Sequence, residues 1–497
     1  MIENLTAAFF LFFSFQNVII IFVGVLLGVI FGAIPGMTTV MGVALVLPFT
    51  FTMEPVTGIL LLLGVYKGGL YGGSITAILL KAPGTPAASC TALDGFPMAQ
   101  KGHARRALDM ALYASCFADF ISNLSLIFLT SFLAAFALRF GPPEFFTLIV
   151  FSLTIIAGVS GDRLAKGIFS AGLGLLLATV GLDIIYGTER FIFGNYELMA
   201  GLNFIPVLIG LFALPEIFNH YTKKHENNAV INALGNVGLY FSEFCSCFKS
   251  ILRGSLIGVI LGAIPGIGAA PSAFLSYSEA KRTSKNKDNF GKGEIEGVAA
   301  AEAGNNGVAG STMIPLLALG VPGDVTTAVI LGAFMIHGLR PGPMMFVENL
   351  NLIYAIFIGI MLSSLYLFVI GKVSIRMISR ISDVSNNLLY PIVLVLCVFG
   401  AYAINNNLFD VLVMIIMSIL GFCMLRLEIP AAPFLIGFIL GPLLEDNFRQ
   451  SLLLSDGSYE IFFRNSICLV FWGLTILAVF LLLRSNLRGN ENMNSGT

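Results

Sequence analysis

The sequence predicts an all-α polytopic membrane protein, with about eleven to thirteen membrane segments in two inverted repeats containing broken or re-entrant helices. Three observations predict it. Of 497 residues, 57% are hydrophobic and only 11% charged, against about 25% charged in an ordinary soluble domain, and the mean hydropathy is +0.90. Uncharged apolar runs of roughly 18 to 20 residues recur, the length a helix needs to cross a bilayer. Finally, GVLLGVIFGAIPGM at 24–37 and GSLIGVILGAIPGI at 254–267 match at ten of fourteen positions.

In chain order, crossings or broken segments are expected near 18–48, 58–80, 107–138, 145–160, 167–186, 201–218, 254–276, 298–319, 325–337, 350–371, 388–404, 408–425, 430–443 and 461–483. Some of these are re-entrant, so they outnumber the crossings. The first 24 residues contain no Lys or Arg and so lack the basic start of a secretory signal. The main polar interruptions are 220–228 and 281–294, which divides the chain into a first repeat, 1–228, and a second, 229–497, within one integrated membrane domain.

Charge sets the relation between the repeats. The stretch after the first GAIPG, residues 48–58, has no Lys or Arg, whereas the stretch after the second carries Lys281, Arg282, Lys285, Lys287 and Lys292. Cytoplasmic loops collect basic residues, so equivalent loops fall on opposite sides and the repeats are inverted. Lys101, Arg105, Arg106, Arg163, Lys166, Lys223, Lys224, Lys372, Arg376, Arg380, Arg484 and Arg488 fit the same scheme on the inside, and an acidic loop at Glu445 and Asp446 falls outside.

Proline removes a backbone donor from a helix and the following glycine permits positive φ, so Pro35-Gly36 and Pro265-Gly266 are expected to unwind within the membrane. Unpaired backbone groups there need protein, water or a ligand. Freed helix N-termini attract carboxylate and freed carbonyls suit a cation. A second element in each half is rich in small and hydroxyl residues and ends in another Pro-Gly: GGSITAILLKAPGTPA at 72–87 and AGSTMIPLLALGVPGDVT at 309–326. Close helix packing accounts for many of those glycines, while the hydroxyls and amides can line a polar path.

Lys67 lies inside an apolar run, where it either holds a substrate carboxylate, pairs with Glu302, or extends to the interface. Glu302 is the mirror candidate for a coupling cation. The candidate substrate- and ion-binding residues are Pro35, Gly36, Thr38, Thr39, Lys67, Tyr71, Gly73, Ser74, Thr76, Pro83, Gly84 and Thr85 in the first half. In the second half they are Pro265, Gly266, Glu302, Asn305, Asn306, Ser311, Thr312, Pro322, Gly323, Asp324 and Thr326.

Other constellations are weaker. The seven cysteines are scattered without metal-ligand spacing and read as buried, reduced thiols. His103, His220 and His225 read as solvated, and His337 beside Arg340 as a loop anchor. Gly158-Val159-Ser160-Gly161 matches the short pattern of intramembrane serine proteases but lacks a convincing histidine base. No catalytic residue, metal site or cofactor is expected.

GAIPGMT (32–38), YGGSITAILL (71–80), PGTPAA (83–88), DGFPMAQKG (94–102), EAGNNGVAGS (302–311), LGVPG (319–323) and LGAFMIHGLRPGP (331–343) occur in order. On these motifs the chain resembles the large membrane subunit, TctA-type, of the tripartite tricarboxylate transporters. The resemblance implies a secondary importer of di- or tricarboxylates in a bacterial inner membrane, driven by Na⁺ or H⁺. It also implies two partners, a small TctB-type membrane subunit and a TctC-type periplasmic solute-binding protein. Two positions depart from the family pattern: Lys67, where an uncharged, often aromatic residue is usual, and Lys81, where Asn is common. The alternatives are a one-component carboxylate carrier or cation antiporter, and, more remotely, the protease.

Overall fold

A computed structural model of the chain describes residues 12, 14–159, 164–183, 186–222, 237–381 and 386–494. Ser160, Arg163, Lys223, Lys224, His225 and the boundary at 228/229 lie outside the described residues. Among the described residues, eight helices are long and apolar enough to cross a membrane, and six shorter apolar helices accompany them. The segments expected from sequence therefore include elements too short to cross alone. Large apolar side chains such as Phe128, Phe132 and Ile476 are 72%, 75% and 69% exposed. A lipid solvent permits this apolar exterior, while the interior buries polar residues such as Lys67, Asp119 and Glu302 among Leu, Ile and Phe side chains.

The first half opens with α1 (Phe15–Ala33), which stops at Ile34-Pro35-Gly36, where Gly36 takes φ +85°. Thr38 then caps α2 (Thr39–Val46), its Oγ1 accepting the Met41 N–H at 3.2 Å. Next comes α3 (Pro55–Leu80), with proline in its first turn and every residue from Val56 to Leu80 buried. After a second break, α4 (Ala88–Met98) leads into α5 (Ala104–Ala137), whose Ser115, Asp119, Ser122 and Asn123 are buried together. The outer helices α6 (Pro142–Val159) and α7 (Leu164–Ala178) follow. A short antiparallel ladder then pairs Gly181 with Arg190, and α8 (Phe204–Leu208) continues through a π-helical turn into α9 (Leu214–Thr222).

The second half runs through α10 (Phe241–Gly262), α11 (Ala269–Thr283), α12 (Ile295–Asn306), the single turn Val308–Ser311, α13 (Met313–Leu319) and α14 (Val325–Ile336). It ends with α15 (Leu350–Ile381), α16 (Asn386–Ala403), α17 (Leu408–Arg426), α18 (Ala431–Leu454) and α19 (Ser466–Asn494). Glu445 and Asp446, expected in a loop, sit inside α18, where Glu445 accepts from Arg190 at 2.7 Å and pairs with Arg449 at 2.6 Å. Ion pairing to the ladder beneath makes the helical continuation favourable. All seven cysteines are free thiols, but Cys245 and Cys423 are exposed, not buried as expected.

Glycine spacing determines the core. Gly24, Gly28 and Gly32 of α1 lie against the backbone around Gly64, Gly68 and Gly72 of α3, so the two helices run parallel; a Cβ at Gly28 would come 2.3 Å from the Val65 carbonyl oxygen. In the second half, Gly254, Gly258 and Gly262 of α10 approach Ala303, Gly307 and Ser311 in the same parallel sense. Across the halves the direction reverses: Tyr66 meets Thr312, Leu70 meets Asn305 and Ser74 meets Glu302. Hence α3 runs antiparallel to α12 and the turn after it.

The ends of this core differ in charge. At one end Arg106 pairs with Glu243, Lys101 Nζ donates to the Lys292 carbonyl at 2.6 Å, and Asp94 Oδ1 accepts the N–H groups of Gly291, Gly293 and Glu294, each at 2.8 Å. The basic loop 281–292 therefore shares this end with the start of α5. At the opposite end the first turn of α3 packs on His337, whose ring lies beside Gly58.

Candidate functional site

Four broken-helix ends converge on one cavity of about 310 Å³. Thr38 and Thr39 come from the start of α2, Thr85 and Ala87 from the turn into α4, Gly268 and Ala269 from the start of α11, and Asp324 and Thr326 from the start of α14. Each end exists for a local reason: a Pro-Gly pair lies in every break between the preceding helix and the next, and side-chain caps help start three of the next four helices. Thr85 Oγ1 accepts the Ala88 N–H at 3.1 Å, and Asp324 Oδ1 accepts that of Thr327 at 2.7 Å. Gly268, with φ +68°, starts α11 with no side-chain cap. Helix N-termini carry partial positive charge and inward-facing N–H groups, so this arrangement suits an anion. Thr39, 3% exposed, adds a buried hydroxyl with no hydrogen-bond partner.

The cavity also has carboxyl groups on and behind its walls. Asp324 Oδ2 accepts the Tyr66 hydroxyl at 3.0 Å, and Tyr66 is 3.1 Å from Thr312 Oγ1. One helical turn beyond Leu70, another wall residue, Glu302 is fully buried. Its Oε1 accepts from Ser74 at 2.5 Å and from Thr91, and its Oε2 accepts from Ser115 at 2.8 Å and Asn306 Nδ2 at 3.3 Å. Among the described residues no cation pairs with it, and the Oδ1 atoms of Asn305 and Asn306 are buried without partners.

Of the three roles open to Lys67, pairing with Glu302 is not the one the structure holds. Lys67 Nζ pairs with Asp119 Oδ2 at 2.9 Å and donates to the Ile360 carbonyl at 2.9 Å and Ser364 Oγ at 3.2 Å. An ammonium has three donors, and all are taken up. The reason is axial: Lys67 and Ser74 lie seven residues, about two turns, apart along one face of α3, and α5 presents Asp119 at the level of Lys67, whereas Glu302 lies at that of Ser74. Lys67 is not on the cavity wall.

The remaining sequence candidates divide. Gly266 lines the cavity, and its N–H donates to the Gly323 carbonyl at 2.8 Å, which ties the two breaks of the second half together. Gly36 instead turns toward Tyr390 of α16, and Pro35 and Pro265 are not on the wall. Gly73 packs on Thr85, Gly84 on the Gly32 carbonyl, and Gly323 on Thr312, so these glycines serve close approach. Thr76 and Ser311 return their hydroxyls to backbone carbonyls of Gly73 and Gly307. Tyr71 is wholly buried with its hydroxyl unpartnered; Pro83 and Pro322 flank their breaks off the wall.

Sequence reasoning missed Tyr66, Thr91, Ser115, Asp119, Asn123 and Ser364. For Asp119 the signal was present: it is an ionisable residue within an apolar segment, the same criterion that singled out Lys67. Isolated hydroxyls on α4, α5 and α15 give no comparable signal.

Residues 18–436 match the family model described as the tripartite tricarboxylate transporter TctA family. An uncharacterized 52.8 kDa protein in the TAR-I ttuC' 3' region of Agrobacterium vitis is 37% identical over 492 residues, covering 99% of this chain and 98% of that protein. A second uncharacterized protein, in the TAR-II ttuC' 3' region of the same organism, is 37% identical over 235 residues, covering 47% of this chain and 97% of its own length. No solved structure matches the chain significantly.

Proposed function

The chain belongs to the tripartite tricarboxylate transporter TctA family, and from that premise we propose that it is the permease of a binding-protein-dependent importer of di- or tricarboxylates. The observation that carries this reading is the meeting of four half-helix N-termini, two from each half, around one cavity with an unpartnered threonine hydroxyl. Carboxylate oxygens would take N–H groups at those ends together with the Thr39 hydroxyl. Asp324 on the wall and Glu302 behind it carry the negative charge that a symported Na⁺ or H⁺ would balance.

The halves act as inverted repeats in this reading. Its support is the shared motif, the parallel glycine packing within each half, and the antiparallel run of α3 against α12. Rocking of one half against the other would expose the central cavity to each side in turn. The permease would sit in an inner membrane with a small membrane subunit and receive substrate from a periplasmic binding protein.

Thr39→Val tests the site. In proteoliposomes holding the partner subunits, half-saturating citrate or succinate should rise about 10- to 100-fold, the worth of one hydrogen bond to a charged group. Unchanged half-saturation would remove Thr39 and the cavity from the reading. Topology is tested by cysteines at Thr52 and Lys285, both exposed. They should label from the periplasm and the cytoplasm respectively, and labelling from one side would refute inversion.

A further inference from the structure

A second cavity, of about 510 Å³, lies on the other side of the break that leads into α4. The central cavity is walled by Thr85, Pro86 and Ala87, and the second by Lys81, Pro83 and Ser89 of the same segment. From there it follows α4 past Phe96 to Gln100 and Gly291, at the basic end of the core. Residues 81–89 thus line both the site of four helix ends and a cavity that reaches Gly291, beside Lys292, whose carbonyl accepts from Lys101 near the start of α5.

Lys81 is the charged residue on this second wall. It is exposed, no carboxylate among the described residues pairs with it, and its Nζ stands 5.9 Å from the centre of the Phe96 ring. Its backbone is left-handed, φ +55°, where it ends α3. In the second half the corresponding cap is Gly320, φ +72°: Leu80-Lys81-Ala82-Pro83-Gly84 aligns with Leu319-Gly320-Val321-Pro322-Gly323. Glycine adopts this conformation freely and asparagine tolerates it, whereas lysine is strained there. A cation is therefore held, against local preference, at the mouth of a cavity that adjoins an anion site. Such backbone outliers cluster where a side chain has a task.

We propose that Lys81 is a second anion station, which receives the carboxylate as it passes from the central cavity toward the basic end. One exposed ammonium beside an aromatic ring attracts an anion without enclosing it, as a step before release requires. The inference rests on the carboxylate reading and adds a site and a sidedness to it.

The test uses right-side-out and inside-out membrane vesicles containing the whole transport system, with radiolabelled citrate and succinate in counterflow. Lys81→Asn and Lys81→Gly remove the charge and relax the backbone, so neither should impair folding. Both should raise the half-saturating carboxylate concentration on the cytoplasmic face about tenfold and leave that on the periplasmic face within about twofold. Lys81→Arg, which keeps the charge, should restore the cytoplasmic value. Unaltered cytoplasmic half-saturation in Lys81→Asn, with wild-type counterflow intact, would overturn the station and leave the carboxylate reading standing. A wild-type system without counterflow of either carboxylate would overturn that reading and the station together.

Discussion

Two buried carboxylates meet the same helix two turns apart, and they are stabilised in opposite ways. Asp119 faces Lys67 across 2.9 Å, both side chains 1% exposed, with Ser364 donating to Asp119 at 2.5 Å. Glu302 faces Ser74 and has hydroxyl and amide donors but no cationic partner among the described residues. Burial is equally severe at both. The first site is neutral as a unit, so it can tie α3 to α5 and α15 permanently. Among the described residues the second has no cation to balance a carboxylate charge, which makes it the place where adding or removing a cation or a proton changes the energy most.

Breaking the balanced pair should have the largest effect. Lys67→Met leaves Asp119 charged and alone, and should destabilise the protein by about 3–5 kcal/mol. Thermal unfolding in detergent measures this, and an unchanged midpoint would show that the pair carries no structural load. Loss of uptake in such a variant would therefore report unfolding before it reported a binding role.

Removing both charges sharpens the comparison. Lys67→Met combined with Asp119→Leu should return stability to within about 1–2 kcal/mol of wild type, because a neutral unit can be exchanged for an apolar one. A double variant as unstable as the single would mean that Asp119 has a second, unreplaced task.

At the unbalanced site the stability effect should be smaller and the functional effect specific. Glu302→Gln keeps an acceptor for the Ser74 and Thr91 hydroxyls and puts an amide donor where Ser115 and Asn306 now donate, so it should cost about 1–2 kcal/mol. Accumulation against a gradient should be lost while carboxylate exchange continues. Concentrative uptake at the wild-type level would remove Glu302 from coupling. The smallest effect belongs to Lys81→Asn, which should stabilise by roughly 0.5–1 kcal/mol through relief of the left-handed cap, read from the same unfolding scans. A lowered midpoint would show that the Lys81 side chain contributes more than its backbone costs.

The membrane class, the two Pro-Gly breaks in each half and the residues just after them were legible in the sequence. Proline and glycine act through their own backbone geometry, so Gly36, Gly266, Thr38 and Asp324 could be placed at helix boundaries without a neighbour. The glycines of the second element, such as Gly72, Gly73 and Gly84, likewise announced close packing, although not against which helix. Charge on the loops was legible too, and loop 281–292 does share an end with Lys101 and Arg106.

Partners across helices were not legible. Sequence marked Lys67 and Glu302 as ionisable groups in apolar surroundings, but whether they met depended on which side chains α5 brought to the levels of Lys67 and Ser74. Likewise the sequence contained four broken ends, and only packing brought them around a single cavity while turning Gly36 aside toward Tyr390. Backbone-determined features are local and can be read along the chain. The charge balance of a buried site is a sum over elements hundreds of residues apart, and only the tertiary structure performs that sum.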